Sequence, residues 1–257
     1  MNKERALEDR GYLDEIFCSI QGEGIYLGYR QVFIRTGGCG SRCLYCDTRR
    51  AAERREQFTL HTGDEKELLD NPVEPAEAVL AALRLSRICR GVHSVSITGG
   101  EPLEQSRFVL EMARALREEK LPVYLETNGL HAGILGEIKP FLDIVSLDIK
   151  QPAICGLGSD IFSHYRSVLS RILPVKVFCK IVLCDRFEPA EFEESVAVIS
   201  RVSRSIPLVI QPASAGVDKQ SYQVPDTDSL MDCYSVASRY LDDVRIIPQC
   251  HKILGIK

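Results

Sequence analysis

Apolar residues alternate between two rhythms along this chain. Short, nearly continuous runs such as SVSIT at 94–98 and VFCKIVL at 177–183 are rich in β-branched and aromatic residues. Runs of this length and composition predict buried strands, here over 32–36, 94–98, 123–126, 144–148, 177–183, 208–211 and 244–247. Between them, apolar positions recur every three or four residues, which predicts amphipathic helices over 75–88, 104–119, 131–141, 162–172, 190–203 and 227–240. Asp226 precedes the last helix, and Pro75 and Pro189 stand at first-turn positions, where a missing N–H costs nothing.

Strand–helix alternation at this spacing implies right-handed βαβ units and a parallel sheet. About six βα units follow the first strand, too few for a closed eight-fold barrel. The predicted fold class is therefore α/β, an open, partial parallel β/α barrel forming one domain over 1–257. The segment 49–71 is rich in Arg and Glu and reads as a charged, solvated loop excursion.

Composition narrows the class of protein. Hydrophobic residues make up 45% of the 257 and charged residues 26%, as in ordinary soluble domains. The net charge of −4 leaves no electrostatic footprint for nucleic acid or an anionic membrane. No apolar stretch approaches a membrane span, and the charged opening MNKERALEDRGYLDE lacks a signal-type apolar core. Of ten cysteines, Cys39, Cys43 and Cys46 crowd into one short run. That crowding favours a reduced, cytoplasmic setting and a metal site over a disulfide framework. The other cysteines, mostly on apolar runs, read as small buried hydrophobes.

In parallel α/β folds, ligands gather at the carboxyl ends of the strands. The distinctive polar motifs fall there: GGCGSRCLYC after the first predicted strand, TGGEP, ETNG and DIKQP after the next three, then QPAS and PQCHK. Independent signatures at one rim predict a single active site. Thiolates are the soft ligands that iron–sulfur clusters need, and three of them hold three irons of a four-iron cube, leaving one iron open to a substrate. A structural zinc site would want a fourth ligand, and the nearest His in sequence is His61.

The C-x-x-x-C-x-aromatic-C spacing of Cys39, Cys43, Tyr45 and Cys46, with TGGEP downstream, resembles the radical S-adenosylmethionine (SAM) superfamily. The resemblance implies a [4Fe–4S] cluster whose open iron is chelated by SAM, with Tyr45 near the adenine. It further implies SAM contacts from Gly100, Glu101, Glu126, Asn128, Ser146, Asp148, Lys150 and Gln211. Period-2 alternation puts Asp148 and Lys150 on one face, where a plain structural ion pair is the competing reading.

The flank IFCSIQGEG, the sequence CDT at 46–48 and the closing PQCHKILGIK are similar to the 7-carboxy-7-deazaguanine synthase family. That resemblance implies a lyase that converts 6-carboxy-5,6,7,8-tetrahydropterin, with loss of ammonia, in queuosine or deazapurine biosynthesis. It implies Mg²⁺ on Thr48, where a helix cap is the alternative role, and an electron donor such as flavodoxin or ferredoxin. A homodimer is also implied. Substrate contacts are expected from Ile20, Gln21, Gly22, Glu23, Arg35, Thr98, His251 and Lys257. A pterin edge presents both donors and acceptors, which Gln21 and Glu23 can meet, and Arg35 offers a planar fork for a carboxylate. Lys257 enters through its main-chain carboxylate, and Asp47 is expected to be structural. No protein acid or base is assigned. Two other readings stay open: a radical SAM activase acting on a partner protein, and an iron–sulfur or zinc sensor module.

Overall fold

A computed structural model describes residues 9–214 and 222–257; most of the charged opening stretch lies outside them. The strands are β1 (Leu13–Ile20), β2 (Arg30–Thr36), β3 (Gln57–Thr62), β4 (Glu65–Asp70), β5 (Ser94–Gly99), β6 (Val123–Thr127), β7 (Ile144–Asp148), β8 (Lys176–Leu183), β9 (Leu208–Pro212) and β10 (Val244–Ile246). They form one sheet in the order β10-β9-β8-β7-β6-β5-β2-β1-β3-β4. From β2 through β10 every neighbouring pair in that order is parallel. The sheet has two edges, β4 and β10, so it stays open, as the count of βα units predicted.

The helices are α1 (Pro75–Cys89), α2 (Ser106–Glu118), α3 (Leu135–Ile138), α4 (Pro152–Cys155), α5 (Ile161–Ile172), α6 (Pro189–Val202), α7 (Thr227–Tyr240) and α8 (Cys250–Leu254). The Asp226 carboxylate caps α7 by accepting from the Ser229 N–H at 2.7 Å. One predicted helix breaks up: the stretch 131–141 is a 3-10 turn, the four residues of α3 and a second 3-10 turn. Gly133 and Gly136 weaken an α-helix there, and Pro140 supplies no N–H to continue it. The helices bury Phe108, Met112, Leu116, Val168, Leu169 and Ile199 with sheet residues such as Val95, Ile97, Val145 and Ile181. Among the described residues no helix is long and apolar enough to cross a membrane.

Two features depart from the sequence reading. The flank 13–20 is a strand, β1, antiparallel to β2, with an irregular register between Leu13 and Glu15. That irregularity blurs the period-2 signal. The segment 49–71 is not simply a loop: β3 and β4 form an antiparallel hairpin that joins the sheet through parallel pairing of β3 with β1. The turn is tight, with Gly63 at φ +68°, a conformation suited to glycine. Charges dominate the composition because β4 is an edge strand with almost all its side chains in water. On β3, however, Phe58 and Leu60 alternate with polar residues and pack into the core.

This distinction between loop and hairpin is measurable. Phe58→Ala should destabilise the protein by about 3 kcal/mol or more, as for other buried aromatics. Leu68→Ala on β4, where the side chain is 64% exposed, should change stability by no more than about 0.5 kcal/mol. Denaturant unfolding of both variants gives the comparison; equal small effects would mean that β3 is not packed.

Candidate active site

The three clustered cysteines sit on the loop leaving β2, beside the TGG turn leaving β5. The two loops are bound backbone to backbone: Gly100 N–H donates to Thr36 O at 3.0 Å and Glu101 N–H to Gly38 O at 2.8 Å. A Cβ at Gly100 would fall 2.1 Å from Gly38 O, and Gly99 has φ +129°, so both positions require glycine. Gly38 and Cys39 N–H groups donate to Ala51 O and Ala52 O, which closes the loop against the turn before β3. Cys39, Cys43 and Cys46 are each partly exposed and line one cavity of about 200 Å³.

A fourth thiol lies behind this loop. Cys155, on α4, is buried, and its Sγ is 3.6 Å from the Tyr45 hydroxyl. Contact with the Cys155 thiol, opposed by burial and helped by the charge of Lys150, holds the Cys43 thiol down to about 6. Burial pushes the Cys39 thiol up. Tyr45 is buried, with the Lys150 ammonium 5.4 Å from its ring centroid.

A second tier of polar groups braces the rim. Glu101 is buried. Its Oε1 accepts from the Leu103 N–H at 2.9 Å and the Thr127 hydroxyl at 2.6 Å, and its Oε2 from the Asn128 N–H at 2.7 Å. One carboxylate thus ties the loop after β5 to the loop after β6. Burial pushes its pKa up to about 7 against the pull of these donors. Glu126 likewise accepts from Gln21 Nε2 at 2.9 Å and the Thr98 hydroxyl at 2.8 Å. Gln21 also donates to Gln31 at 3.0 Å and accepts from the Glu23 N–H at 3.0 Å.

Opposite lies a ladder of charges. Lys180 projects from β8 and pairs with Glu23 and, at 3.3 Å, with Asp148 Oδ1; Asp148 Oδ2 is 3.0 Å from Lys150 Nζ. Burial opposes the Glu23 charge, but Lys180 and a 2.8 Å hydrogen bond from Gln249 hold its pKa down to about 2. Gln249 also donates to Asp47 at 2.7 Å, and Lys252 pairs with Asp47 at 2.5 Å. Ligand atoms of Glu23, Asp47 and His251 lie within 4.8 Å of one another, but ammonium groups already neutralise both carboxylates, a poor setting for a cation.

Nearly all the residues singled out in the sequence meet at this cavity. Ile20, Gln21, Gly22, Glu23, Arg35, Thr48, Thr98, His251 and Lys257 line it, and so do Tyr45, Gly100, Glu101, Glu126, Asn128, Asp148, Lys150 and Gln211. Ser146 does not: it is buried within β7, with its hydroxyl against Tyr124. Lys180, Gln249 and Phe17 also line the cavity and escaped the sequence reading. Lys180 had a readable signal, as the one charge inside the apolar run VFCKIVL. Gln249 and Phe17 lie within the quoted motifs PQCHK and IFCSIQGEG, but which side chains of those motifs reach the cavity depends on long-range packing.

The unpaired atoms are informative. Glu15 takes Arg35 Nε at 3.0 Å, leaving the two terminal nitrogens without a protein acceptor among the described residues. Gln211 Oε1 is buried without a partner among the described residues. Thr48 stands at the N-cap of the 3-10 turn Arg49–Ala52, but its hydroxyl makes no capping bond. These groups remain available to ligands.

The bracing role of Glu101 can be measured separately from activity. In Glu101→Gln an amide N–H₂ must face at least one of three N–H or O–H donors. The variant should lose about 1–3 kcal/mol of stability by denaturant unfolding. No loss would mean that the two loops are held by their backbone bonds alone.

The radical SAM superfamily model matches residues 33–153. A 7-carboxy-7-deazaguanine synthase of Geobacter sulfurreducens is 37% identical over 246 residues, covering 95% of this chain and 96% of the relative. One from Archaeoglobus fulgidus is 35% identical, covering 96% of this chain and 100% of the relative. The crystal structure of QueE from Escherichia coli superposes with a TM-score of 0.63, covering 97% of this chain and 99% of that one; at 20% identity it speaks to the fold. With two relatives matched over nearly their whole length and the cysteine loop intact, the chain belongs to the 7-carboxy-7-deazaguanine synthase family of the radical SAM superfamily.

Proposed function

We propose that this enzyme converts 6-carboxy-5,6,7,8-tetrahydropterin to 7-carboxy-7-deazaguanine with loss of ammonia, as a step of queuosine or related deazapurine biosynthesis in the cytoplasm. The observation that carries the reading is one cavity lined both by three partly exposed thiols and by Gln21, Glu23 and Arg35, whose two terminal nitrogens have no protein acceptor among the described residues.

The residues fit the family's cofactors. Cys39, Cys43 and Cys46 would hold three irons of a [4Fe–4S] cluster, while Cys155 lies buried behind Tyr45 and does not line the cavity. The glycines of the TGG turn let backbone approach closely, and the orphaned Gln211 oxygen suits an N–H or hydroxyl of SAM. When bound and reduced by a donor such as flavodoxin or ferredoxin, the cluster and SAM supply one-electron chemistry at an unactivated C–H bond. Thr48 would give Mg²⁺ one hard oxygen, with substrate carboxylate and water completing the shell.

The protein's own part is positioning. The terminal nitrogens of Arg35 point a bidentate donor pair at the substrate carboxylate, and Glu15 fixes the plane of that fork. Glu23, kept ionised by Lys180, accepts from pterin N–H groups, and Lys180 stays protonated because Asp148 and Glu23 flank it. Gln21 is oriented from three sides by Gln31, Glu126 and the Glu23 backbone, so its amide is not free to rotate. Such fixed groups hold the scissile C–H bond at reacting distance, where an error of about 1 Å can cost roughly a hundredfold in rate.

The test is anaerobic incubation of the reconstituted enzyme with SAM, reductant, Mg²⁺ and carboxytetrahydropterin, followed by mass detection of the deazaguanine. Absence of that product alongside robust SAM cleavage would reject this substrate. Ala in place of Cys39, Cys43 or Cys46 should each abolish the cluster spectrum and SAM cleavage, whereas Cys233→Ala, in the core far along the chain, should abolish neither. Thr48→Ala should leave the cluster spectrum intact and lower pterin turnover, with partial recovery as Mg²⁺ is raised. Identical Mg²⁺ curves for Thr48→Ala and the parent would mean that the metal is held elsewhere.

A further inference from the structure

Lys257 is held by a cluster of side chains for which the proposed reaction has no direct use. Its ammonium pairs with Glu15, lies 2.5 Å from His61 Nε2 and sits 5.0 Å from the centroid of the Phe17 ring. The Ser19 hydroxyl donates to Lys257 O at 2.7 Å. Glu15, Phe17 and Ser19 follow one another at period 2 on β1, so they share a face of the sheet. His61 comes from β3, the hairpin strand beside β1. Two of these β1 residues, Glu15 and Phe17, also hold Arg35. Glu15 Oε1 accepts from its Nε at 3.0 Å, and Phe17 lies 5.6 Å beneath its guanidinium carbon while stacking on Phe33 at 5.0 Å.

The segment leading to Lys257 is fixed at its other end too. Cys250 N–H donates to Gly22 O at 2.9 Å, and His251 packs so closely on Gly22 that a Cβ there would fall 2.4 Å from Nδ1. Gly255, at φ +64°, ends α8 and turns the chain back towards β1. Gln249, His251 and Lys257 all line the cavity. The stretch 249–257 is therefore a strap across the site, anchored at Gly22 and at the Glu15–His61–Phe17 cluster.

We propose that Glu15 is a positioning residue that clasps Lys257 and Arg35 with its two carboxylate oxygens, so that the strap lies over the pocket when the Arg35 fork is aligned. The chemistry of the cluster supports the clasp. Burial opposes the Glu15 charge, but Lys257 and Arg35 keep its carboxyl below the usual range. Burial and the adjoining ammonium hold His61 below its usual range, so its neutral ring accepts from Lys257 and adds no competing positive charge. Two cations on one aromatic ring need a shared anion between them, and Glu15 is that anion.

Hydrogen exchange on the reconstituted holoenzyme tests the clasp, and steady-state kinetics with carboxytetrahydropterin test its effect; the kinetic arm rests on the substrate proposed above. In Lys257→Ala, amides of 253–257 should exchange about tenfold faster. KM for the pterin should rise about fivefold, with kcat within about twofold of the parent, as expected on losing a half-exposed ion pair that acts in binding. Lys257→Arg should restore both, which a general packing defect would not. Glu15→Gln should loosen the strap and also weaken pterin binding through Arg35, so its KM should rise further. Unchanged exchange in Lys257→Ala, or faster exchange with an unchanged KM, overturns the proposal. If the parent does not turn over the pterin, the substrate reading fails while the exchange result still decides the clasp.

Discussion

Lys180 holds the site together. Its ammonium is taken almost wholly out of water, with the residue 6% exposed, from a strand that otherwise reads as core. An isolated charge in that position would cost several kcal/mol or give up its proton. It keeps the proton because Asp148, on the neighbouring strand β7, and Glu23, on the loop after β1, converge on it. One buried cation therefore fixes two anions from distant parts of the chain. The loop with Gln21 and Glu23 arrives from the antiparallel side of the sheet, and this pairing draws it over the parallel strand ends. Phe178, two residues before Lys180, reinforces the link: it packs where a Cβ on Gly24 would stand, 2.5 Å from its ring.

Within this frame, the polar residues divide by whether their bonding capacity is already used. Glu101 and Asn128 are filled by backbone and side-chain partners, and they set the distance between the loops after β5 and β6. Arg35, Thr48 and Gln211 are not filled. A motif reading treats all of these residues alike as ligands, because each belongs to a polar motif at one rim of the sheet. Buried polar groups are normally satisfied, so the unfilled ones carry the stronger claim to contact a small molecule, and the filled ones a claim to hold shape.

That division explains what the sequence could and could not disclose. The parallel strands announced themselves because they are buried on both faces and read as unbroken apolar runs. Motifs at their ends fell on one rim by topology alone, and nearly all the residues that the family resemblance pointed to line the cavity at that rim. β1 and the β3–β4 hairpin did not announce themselves. Their residues mix cavity-facing polar groups, a register irregularity and an exposed edge, so no single period survives. Glu15 looks like an ordinary charge in LDEIFCSI, and only the register that sets it opposite Arg35 reveals its use. Ser146 differs from its neighbours on the same strand: the end of β7 reaches the cavity, but Ser146 itself is buried and does not line it.

The charge balance of the cavity sets a final condition on what it can bind. Glu23, Asp47, Glu101, Glu126 and Asp148 line it, against Arg35, Lys150, Lys180 and Lys257, and deprotonated cysteines would add further negative charge. With a chain that is itself acidic, at −4 overall, no long-range field draws in a carboxylate substrate. Recognition of such a substrate must be local. Most of the cavity's cations are already engaged: Lys180 by two carboxylates, Lys150 by Asp148, Lys257 by Glu15. Arg35 pairs with Glu15 only through Nε, so its two terminal nitrogens keep donors without a protein acceptor among the described residues. A second positive charge in the cavity, as a divalent ion on Thr48 would supply, reconciles an anionic substrate with a cavity whose own charges lean negative.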